Sequence, residues 1–223
     1  MTLYIDAGTT YSKIIAVGEI INFPQVKTVS DKNYYILPSN DVKNLGLKFT
    51  KSCGHMTGDT VHENEIIALA QGAKNLVEPS ATILDLGSRD AKWIKFKNSK
   101  FSDMDWNTSC ASSTGATVEM LLKFYDLKPE NLVFQEEKYN VTCGIFGFER
   151  IMDDISKGVN ANIAVSKFIH GIAYNAWNFA KRPEKLYLSG GFCENECLVK
   201  SLENYCSVIK LGRFVLCEGL ING

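Results

Sequence analysis

Short apolar runs that end in polar, glycine-containing turns occur twice in the chain and predict two β-hairpins. In residues 3–17 an apolar run leads into a polar turn at 6–10, and a second apolar run follows the turn. Residues 81–96 repeat this layout around a turn at 86–90. Each first strand ends in Asp-x-Gly followed by Ser or Thr, so the chain contains the same unit twice.

Apolar residues at helical spacing alternate with short strands in the rest of the chain. Short β-like pieces are predicted for residues 21–60. Because strands and helices alternate, the sequence predicts an α/β fold. The other predicted elements are a helix over 62–74, a loop entering a helix over 107–127, a strand over 141–145, one or two helices over 151–180 with a break near 158–160, a strand over 186–189, a tight turn at 190–191 and a helix over 195–205.

Length and composition restrict the class of protein. The chain has 223 residues, of which 45% are hydrophobic, enough for one substantial domain or two small lobes that share a cleft. We predict a first lobe over 1–78, a second lobe over 79–214 and a short C-terminal segment over 215–223. The net charge of −1 does not suggest a nucleic-acid partner. No secretory signal or membrane-spanning run is present in the sequence, so we expect a soluble cytoplasmic protein with no membrane partner.

The chain has seven cysteines, which is an odd number, and the cytosol is a reducing compartment, so a disulfide framework is not expected. Buried thiols, reactive thiols and metal ligands remain as roles. Cys193 and Cys197 have the i, i+4 spacing that places two sulfurs on one helix face. Because no histidine or further cysteine nearby completes a zinc site, we expect both to be ordinary buried thiols.

The first turn carries residue types that bind phosphate and magnesium. Glycine lets the backbone approach a phosphate, and hydroxyl and amide groups donate to its oxygens. A carboxylate at the strand end can hold Mg²⁺ through water, since Mg²⁺ keeps much of its hydration beside phosphates. The candidate residues are Asp6, Gly8, Thr9, Thr10 and Lys13.

The second turn offers the same groups, Asp85, Gly87 and Ser88. Two opposed acidic, glycine-bearing hairpins can clamp a polyphosphate and its magnesium between them. A third element, Ser189-Gly190-Gly191, follows a strand and suits the α-phosphate or sugar of a nucleotide. The three elements together predict that the chain binds ATP or ADP with Mg²⁺.

The order of these motifs resembles the actin-like ATPase superfamily. Within it the chain resembles the BadF/BadG/BcrA/BcrD type, which comprises activators of 2-hydroxyacyl-CoA dehydratases and ATPase subunits of benzoyl-CoA reductase. Residues 107–115, Asn-Thr-Ser-Cys-Ala-Ser-Ser-Thr-Gly, resemble that family's first cysteine loop, and residues 141–146 resemble its second cysteine motif. The resemblance implies an actin-like (ribonuclease H-like) fold, with two lobes of mixed sheets and helices around a nucleotide cleft.

The resemblance also implies an iron–sulfur cofactor. In that family one cysteine from each motif, contributed by both copies of a homodimer, ligates a single [4Fe–4S] cluster, and Cys110 and Cys143 occupy those positions here. Two thiolates per chain supply half of a Cys₄ set, which agrees with a two-fold axis. The implied function is an ATP-dependent electron-transfer activator of a reductase or dehydratase. Further nucleotide contacts are expected from Thr114 and Gly115.

Several residues depart from the family pattern and leave alternatives open. Arg89 stands in the second turn where the family has a neutral polar residue, and Ser113 stands where it usually has glycine. The chain stops at Gly223, so its last packing element is expected to be missing or replaced. Asp6, Asp85 and Asp90 are the candidate catalytic carboxylates. Asp90 also suits the base of a small-molecule kinase, and a non-catalytic nucleotide-binding sensor or assembly module is the other alternative.

Overall fold

Two mixed β-sheets organise the fold in a computed structural model, which describes residues 2–18, 20–55, 60–107, 115–141 and 144–223. The first sheet has six strands in the order β3-β4-β2-β1-β5-β6. Its strands are β1 (Thr2–Ala7), β2 (Tyr11–Val17), β3 (Lys27–Val29), β4 (Lys32–Pro38), β5 (Lys51–Gly54) and β6 (Val61–His62).

The second sheet has five strands in the order β11-β10-β7-β8-β9. Its strands are β7 (Ala81–Leu86), β8 (Ala91–Lys97), β9 (Lys100–Asn107), β10 (Lys185–Ser189) and β11 (Ser207–Gly212). Each sheet contains one predicted hairpin, and both hairpins are confirmed as antiparallel pairs. In each sheet the first hairpin strand also pairs in parallel with a later strand, β5 or β10. The repeated unit of the sequence is therefore a repeated unit of the fold.

Seven α-helices lie in the described part of the chain, and they cover the sheets and fill the space between them. They are α1 (Ser39–Asn44), α2 (Glu65–Ala73), α3 (Gly115–Phe124), α4 (Gly144–Ser156), α5 (Ala161–Phe179), α6 (Glu196–Glu203) and α7 (Val215–Asn222). The predicted break near 158–160 is confirmed, since Gly158 has a φ of 93° and Asn160 caps α5. Asn64 and Asn195 cap α2 and α6 in the same way, because their side chains accept a hydrogen bond from the first turn.

The strand predicted over 141–145 is wrong. Helix α4 begins at Gly144, and the carbonyl of Val141 accepts a hydrogen bond of 2.6 Å from the side chain of Asn175 on α5. Val141 is buried in the core beside that helix. A short apolar run fits a strand or a buried segment equally well, and only its packing decides between them.

Two strands were missed because neither of them contains a fully buried residue. Almost every residue of β9 is exposed, and β9 forms the edge of the second sheet. Strand β11 forms the opposite edge; half of its residues are exposed and the others are only partly buried. Alternation of buried and exposed positions is the sequence pattern of a strand, and an exposed edge strand does not need it.

Helices α2 and α7 pack against each other between the two sheets. One buried cluster joins α2 and α7 to β5 of the first sheet and to β7, β8 and β10 of the second. The helices cross at two glycines: a Cβ on Gly72 would overlap the carbonyl of Val215, and a Cβ on Gly219 would overlap the carbonyl of Ala68. The C-terminal segment 215–223, expected to be short, thus forms a helix that contacts both sheets. The boundaries of the two lobes stay a prediction.

The far face of the second sheet is covered by α3, α5 and α6, whose apolar side chains form the largest buried cluster. Trp93, Phe168 and Ile169 lie in this cluster and are almost completely buried. Within the described ranges, no helix combines the length and the apolar character needed to cross a membrane.

Candidate functional site: a cleft between two acidic hairpins

A cleft of about 240 Å³ lies between the two hairpin turns and takes its lining from both sheets. The turn after β1 and the turn after β7 face each other across it. The hydroxyl oxygens of Thr10 and Ser88 lie 2.7 Å apart and form a hydrogen bond between the two turns. The fold thus brings together two motifs that are 78 residues apart in the sequence.

The first turn is held by an ion pair across its hairpin. Asp6 is opposite Lys13 in the strand register, and Lys13 Nζ lies 2.9 Å from Asp6 Oδ2. Burial works against the charge of Lys13, but the neighbouring carboxylate of Asp6 raises the pKa of Lys13 above its usual value. Ser39 donates a hydrogen bond of 2.7 Å to the carbonyl of Gly8 and fixes the turn from the side. A fixed positive charge therefore lies within the first turn.

The second turn repeats this arrangement with a larger network. Asp85 is opposite Lys92, and the buried Lys92 Nζ lies 3.6 Å from Asp85, 3.0 Å from Asp90 and 2.5 Å from Glu65 at the start of α2. Burial raises the pKa of Asp85 and of Glu65, while Lys92 acts in the opposite direction. Ser189 donates a hydrogen bond of 2.8 Å to Asp85. The formal charges of Asp85, Asp90, Glu65 and Lys92 sum to −2, which suits a hydrated divalent cation.

Asp90 braces the second turn. Its Oδ2 accepts hydrogen bonds from Trp106 Nε1 at 2.6 Å and from Lys92 at 3.0 Å, and its carbonyl accepts one from the amide of Gly87 at 3.0 Å. Both donors engage the same oxygen of Asp90, which therefore holds Lys92 and Trp106 beside the second turn. The role of Asp90 as the base of a kinase stays a prediction.

The Ser-Gly-Gly element and the start of α3 complete one wall of the cleft. Gly190 has a φ of 95°, and a Cβ there would overlap the carbonyl of Leu86, so this position requires glycine. Gly191 lines the cleft and faces open space. The amide of Gly115 donates to the carbonyl of Gly87 at 3.2 Å. Three elements that are distant in the sequence therefore meet at the second turn.

The cleft extends beyond the glycine turns to an end that sequence reasoning missed. This end is lined by apolar side chains and three charged ones. They come from α3, the segment after it, the 3-10 helix at 191–194 and the link between β11 and α7. They are Val118, Glu119, Leu122, Pro129, Phe192, Glu194 and Arg213. These residues come from four separated segments with no shared motif, so no sequence pattern connects them. Glu65 was also missed, although Asn64-Glu65 is a typical helix start.

Magnesium is the metal that the turns were expected to hold. In the ranges that the structure describes, no group of three or more His, Cys, Asp or Glu side chains is placed to bind a metal ion directly. Asp6 Oδ1 accepts a weak hydrogen bond from Cys53 Sγ at 4.0 Å, while Asp85 Oδ1 lies 3.6 Å from the ammonium group of Lys92. Carboxylates of this kind fit a magnesium ion that is held through its water ligands.

Cys110, Cys143 and Thr114 lie outside the described residues. Helix α4 begins at the residue after Cys143, and α3 begins five residues after Cys110. The other cysteines are buried free thiols, which confirms the expectation for Cys193 and Cys197. Burial raises the pKa of Cys193 to about 12, so this thiol stays protonated.

Known proteins resemble the chain along most of its length. The (R)-2-hydroxyglutaryl-CoA dehydratase activating ATPase of Acidaminococcus fermentans is 23% identical over 230 residues, which cover 91% of this chain and 86% of the relative. The activator of lactoyl-CoA dehydratase of Anaerotignum propionicum is 23% identical over 90% of this chain and 86% of its own. No family model matches the chain.

The solved structure of the activator of 2-hydroxyisocaproyl-CoA dehydratase from Clostridium difficile, with bound ADPNP, superimposes with a TM-score of 0.75 at 20% identity. The match covers 98% of this chain and 91% of that one. The two sheets and the cleft between their hairpins therefore define an actin-like ATPase fold, as the sequence predicted. Within that class, the chain is similar to named activators of 2-hydroxyacyl-CoA dehydratases, as its two cysteine motifs led us to expect.

Proposed function

We propose that this protein is an ATP-dependent activator that passes an electron to a partner dehydratase or reductase. The observation that carries the proposal is the pair of matched Asp–Lys hairpins that face each other across one cleft and are joined by the Thr10–Ser88 hydrogen bond. The names of the relatives, which describe activators and an activating ATPase, support the same function.

The nucleotide binds with its phosphates between the two turns. Gly8 and Gly87 let the backbone approach the phosphates, while Thr9, Thr10 and Ser88 donate hydroxyl groups. Asp6 and Asp85 hold the water shell of Mg²⁺, and Lys13 offsets phosphate charge. Phosphoryl transfer needs little covalent chemistry from a protein, so these residues act by position and charge. Arg89, an exposed residue that lines the cleft, adds a second cation beside the phosphates.

The electron carrier is held by Cys110 and Cys143 of two copies of the chain. A [4Fe–4S] cluster with four thiolate ligands supplies a low-potential one-electron centre. Each chain contributes two of the four ligands, so a homodimer with a two-fold axis near these cysteines completes the set. Helix α3 begins five residues after Cys110 and α4 one residue after Cys143, and the N-terminus of a helix favours a thiolate or another anionic group close to it.

The position of α3 supports a coupling between the nucleotide and the electron carrier. The amides at its start bond to the second turn, through Gly115 to Gly87 and through Ala116 to Ser88 at 2.8 Å. We expect a movement of that turn on ATP binding to shift the start of α3, which lies five residues after Cys110 in the sequence. ATP shifts the equilibrium between two arrangements of the lobes only if it binds one arrangement more tightly than the other.

A reconstituted dimer is the direct test of this proposal. Protein purified without oxygen and supplied with iron and sulfide should be brown, with broad visible absorbance, and light scattering should give twice the chain mass. A colourless monomer under these conditions would contradict the activator proposal. It would leave a small-molecule kinase or a nucleotide-binding sensor as the function, and phosphorylation of an added acceptor would separate those two.

Substitution of either aspartate in the turns should weaken magnesium-dependent nucleotide binding. We expect Asp6→Asn and Asp85→Asn each to raise the Kd of Mg·ATP by about tenfold or more, because each removes a charge that holds the hydrated cation. Calorimetry with and without Mg²⁺ measures the effect, which should be small without the metal. Asp103→Asn, on the exposed strand β9, is the matched control and should bind as the wild type does. Unchanged affinity in both cleft variants would refute the site.

A further inference from the structure

Trp106 differs from the rest of strand β9, because it is the only residue of that strand that is partly buried. In the strand register it lies opposite Lys92 on β8, and Lys92 lies opposite Asp85 on β7. Paired residues of neighbouring strands present their side chains on the same face of a sheet. Asp85, Lys92 and Trp106 therefore form one row of side chains that crosses three strands and begins in the cleft.

Two contacts join Trp106 to the charged side chains of the second turn. Its Nε1 donates a hydrogen bond of 2.6 Å to Asp90 Oδ2, and Lys92 Nζ lies 5.3 Å from the centre of its indole ring. The same oxygen of Asp90 binds Lys92 at 3.0 Å. A hydrogen bond to a carboxylate is stronger than one between neutral groups, and an ammonium group over an indole ring adds a cation–π attraction. Trp106 is therefore held by the same two residues that brace the turn.

The place of Trp106 in the chain gives these contacts a consequence. The next residue, Asn107, ends β9, and Cys110 follows three residues later in the sequence. On the other side of Cys110, the amide of Gly115 at the start of α3 bonds to the carbonyl of Gly87 in the same turn. The residues that flank the segment with Cys110 are therefore attached to the second turn on both sides.

We propose that Trp106 is a positioning residue, which passes a change in the second turn to the end of β9 before Cys110. Lys92 divides its charge between Asp85 and Asp90, so a change of charge at Asp85 alters how strongly Lys92 binds Asp90. Trp106 contacts both Lys92 and Asp90 and follows their movement. The inference rests on the proposed function, because it takes Mg·ATP to bind beside Asp85. It adds a second attachment to the one at the start of α3.

The alkylation rate of Cys110 tests this role in the full-length chain before reconstitution with iron. Iodoacetamide modifies the thiols, and mass spectrometry of the peptides gives the rate at each cysteine. In the wild type, the magnesium complex of the ATP analogue ADPNP should change the rate at Cys110 by about fivefold or more. In Trp106→Phe, which keeps a ring but loses the N–H donor, this effect should fall to about twofold or less. The buried Cys193 and Cys197 are internal references and should react slowly throughout.

Trp177→Phe is the matched control. The Trp177 indole also donates a hydrogen bond, to the carbonyl of Pro183 at 3.1 Å, and it lies on α5 outside the cleft lining. This variant should keep the full effect of the nucleotide on Cys110. Neither Trp106 nor Trp177 lines the cleft, so calorimetry should give both variants an affinity for Mg·ADPNP within about threefold of the wild type.

Fluorine NMR follows Trp106 without a substitution at that residue. The chain has three tryptophans, so the wild type labelled with 5-fluorotryptophan should give three resonances. The resonance that is missing from labelled Trp106→Phe belongs to Trp106. Mg·ADPNP should shift this resonance, because the ring contacts the charged groups of Lys92 and Asp90, and should leave the resonance of Trp177 in place.

The two measurements distinguish failure of this inference from failure of the proposed function. A full nucleotide effect on Cys110 in Trp106→Phe would overturn the inference, as would the same loss of effect in Trp177→Phe. A Trp106 resonance that does not respond to bound Mg·ADPNP would also overturn it. If Trp106→Phe does not fold, selective labelling of the wild type still shows whether one resonance responds, and no response overturns the inference. A wild type that binds no Mg·ADPNP in the calorimeter would instead refute the proposed function.

Discussion

Replacement of Cys110 or Cys143 by alanine is expected to abolish the iron–sulfur cluster. Each substitution removes two of the four thiolate ligands in a symmetric dimer, so the iron content should fall well below about four atoms per dimer. The EPR signal of the reduced cluster should disappear with it. Iron analysis and EPR after anaerobic reconstitution measure both effects, and binding of Mg·ATP should persist in both variants.

Cys193→Ala and Cys197→Ala are the matched controls for this experiment. Both thiols are buried in the core of the second lobe, and the raised pKa of Cys193 opposes the thiolate form that a cluster requires. We expect normal iron content and a normal EPR signal from both. The reverse result, with residues 193 and 197 essential and 110 and 143 dispensable, would refute the ligand assignment and the electron-transfer function with it.

Substitution of the glycines where α2 and α7 cross should cause the largest loss of stability. An alanine Cβ on Gly72 or Gly219 would overlap a backbone carbonyl of the opposite helix, and backbone cannot move aside as a flexible side chain can. We expect Gly72→Ala and Gly219→Ala each to lower the free energy of unfolding by about 3 kcal/mol or more. Urea denaturation followed by circular dichroism measures this change.

Gly191→Ala is the control for the helix crossing. A Cβ at Gly191 meets no atom within 4 Å, and its φ is not positive, so the free energy of unfolding should change by less than about 0.5 kcal/mol. Wild-type stability of both crossing variants would mean that α2 and α7 do not pack as closely as the structure shows. Because this helix pair contacts both sheets, such a result would also change the account of how the lobes are joined.

The sequence by itself determined the two hairpins and most of the helices. Local rules suffice for these elements: an apolar run that stops at Asp-x-Gly predicts a strand and its turn, and spacing along one face predicts a helix. The hairpins also carried the chemistry of the site, because Asp6 and Asp85 lie at the ends of β1 and β7, next to the polar turns. The hairpins, helices and turns that indicated the fold are short segments, and each can be interpreted without the others.

Only the tertiary structure decided which side chains share the cleft. Lys92 lies against Glu65 of α2, and Thr10 bonds to Ser88, although nothing in the local sequence links these positions. The far end of the cleft, with Arg213, assembles from four separate segments. The run 141–145 lost its predicted strand because Val141 packs beside α5 rather than in a sheet. Contacts of this kind depend on how sheets and helices dock, which the periodicity of a single segment does not contain.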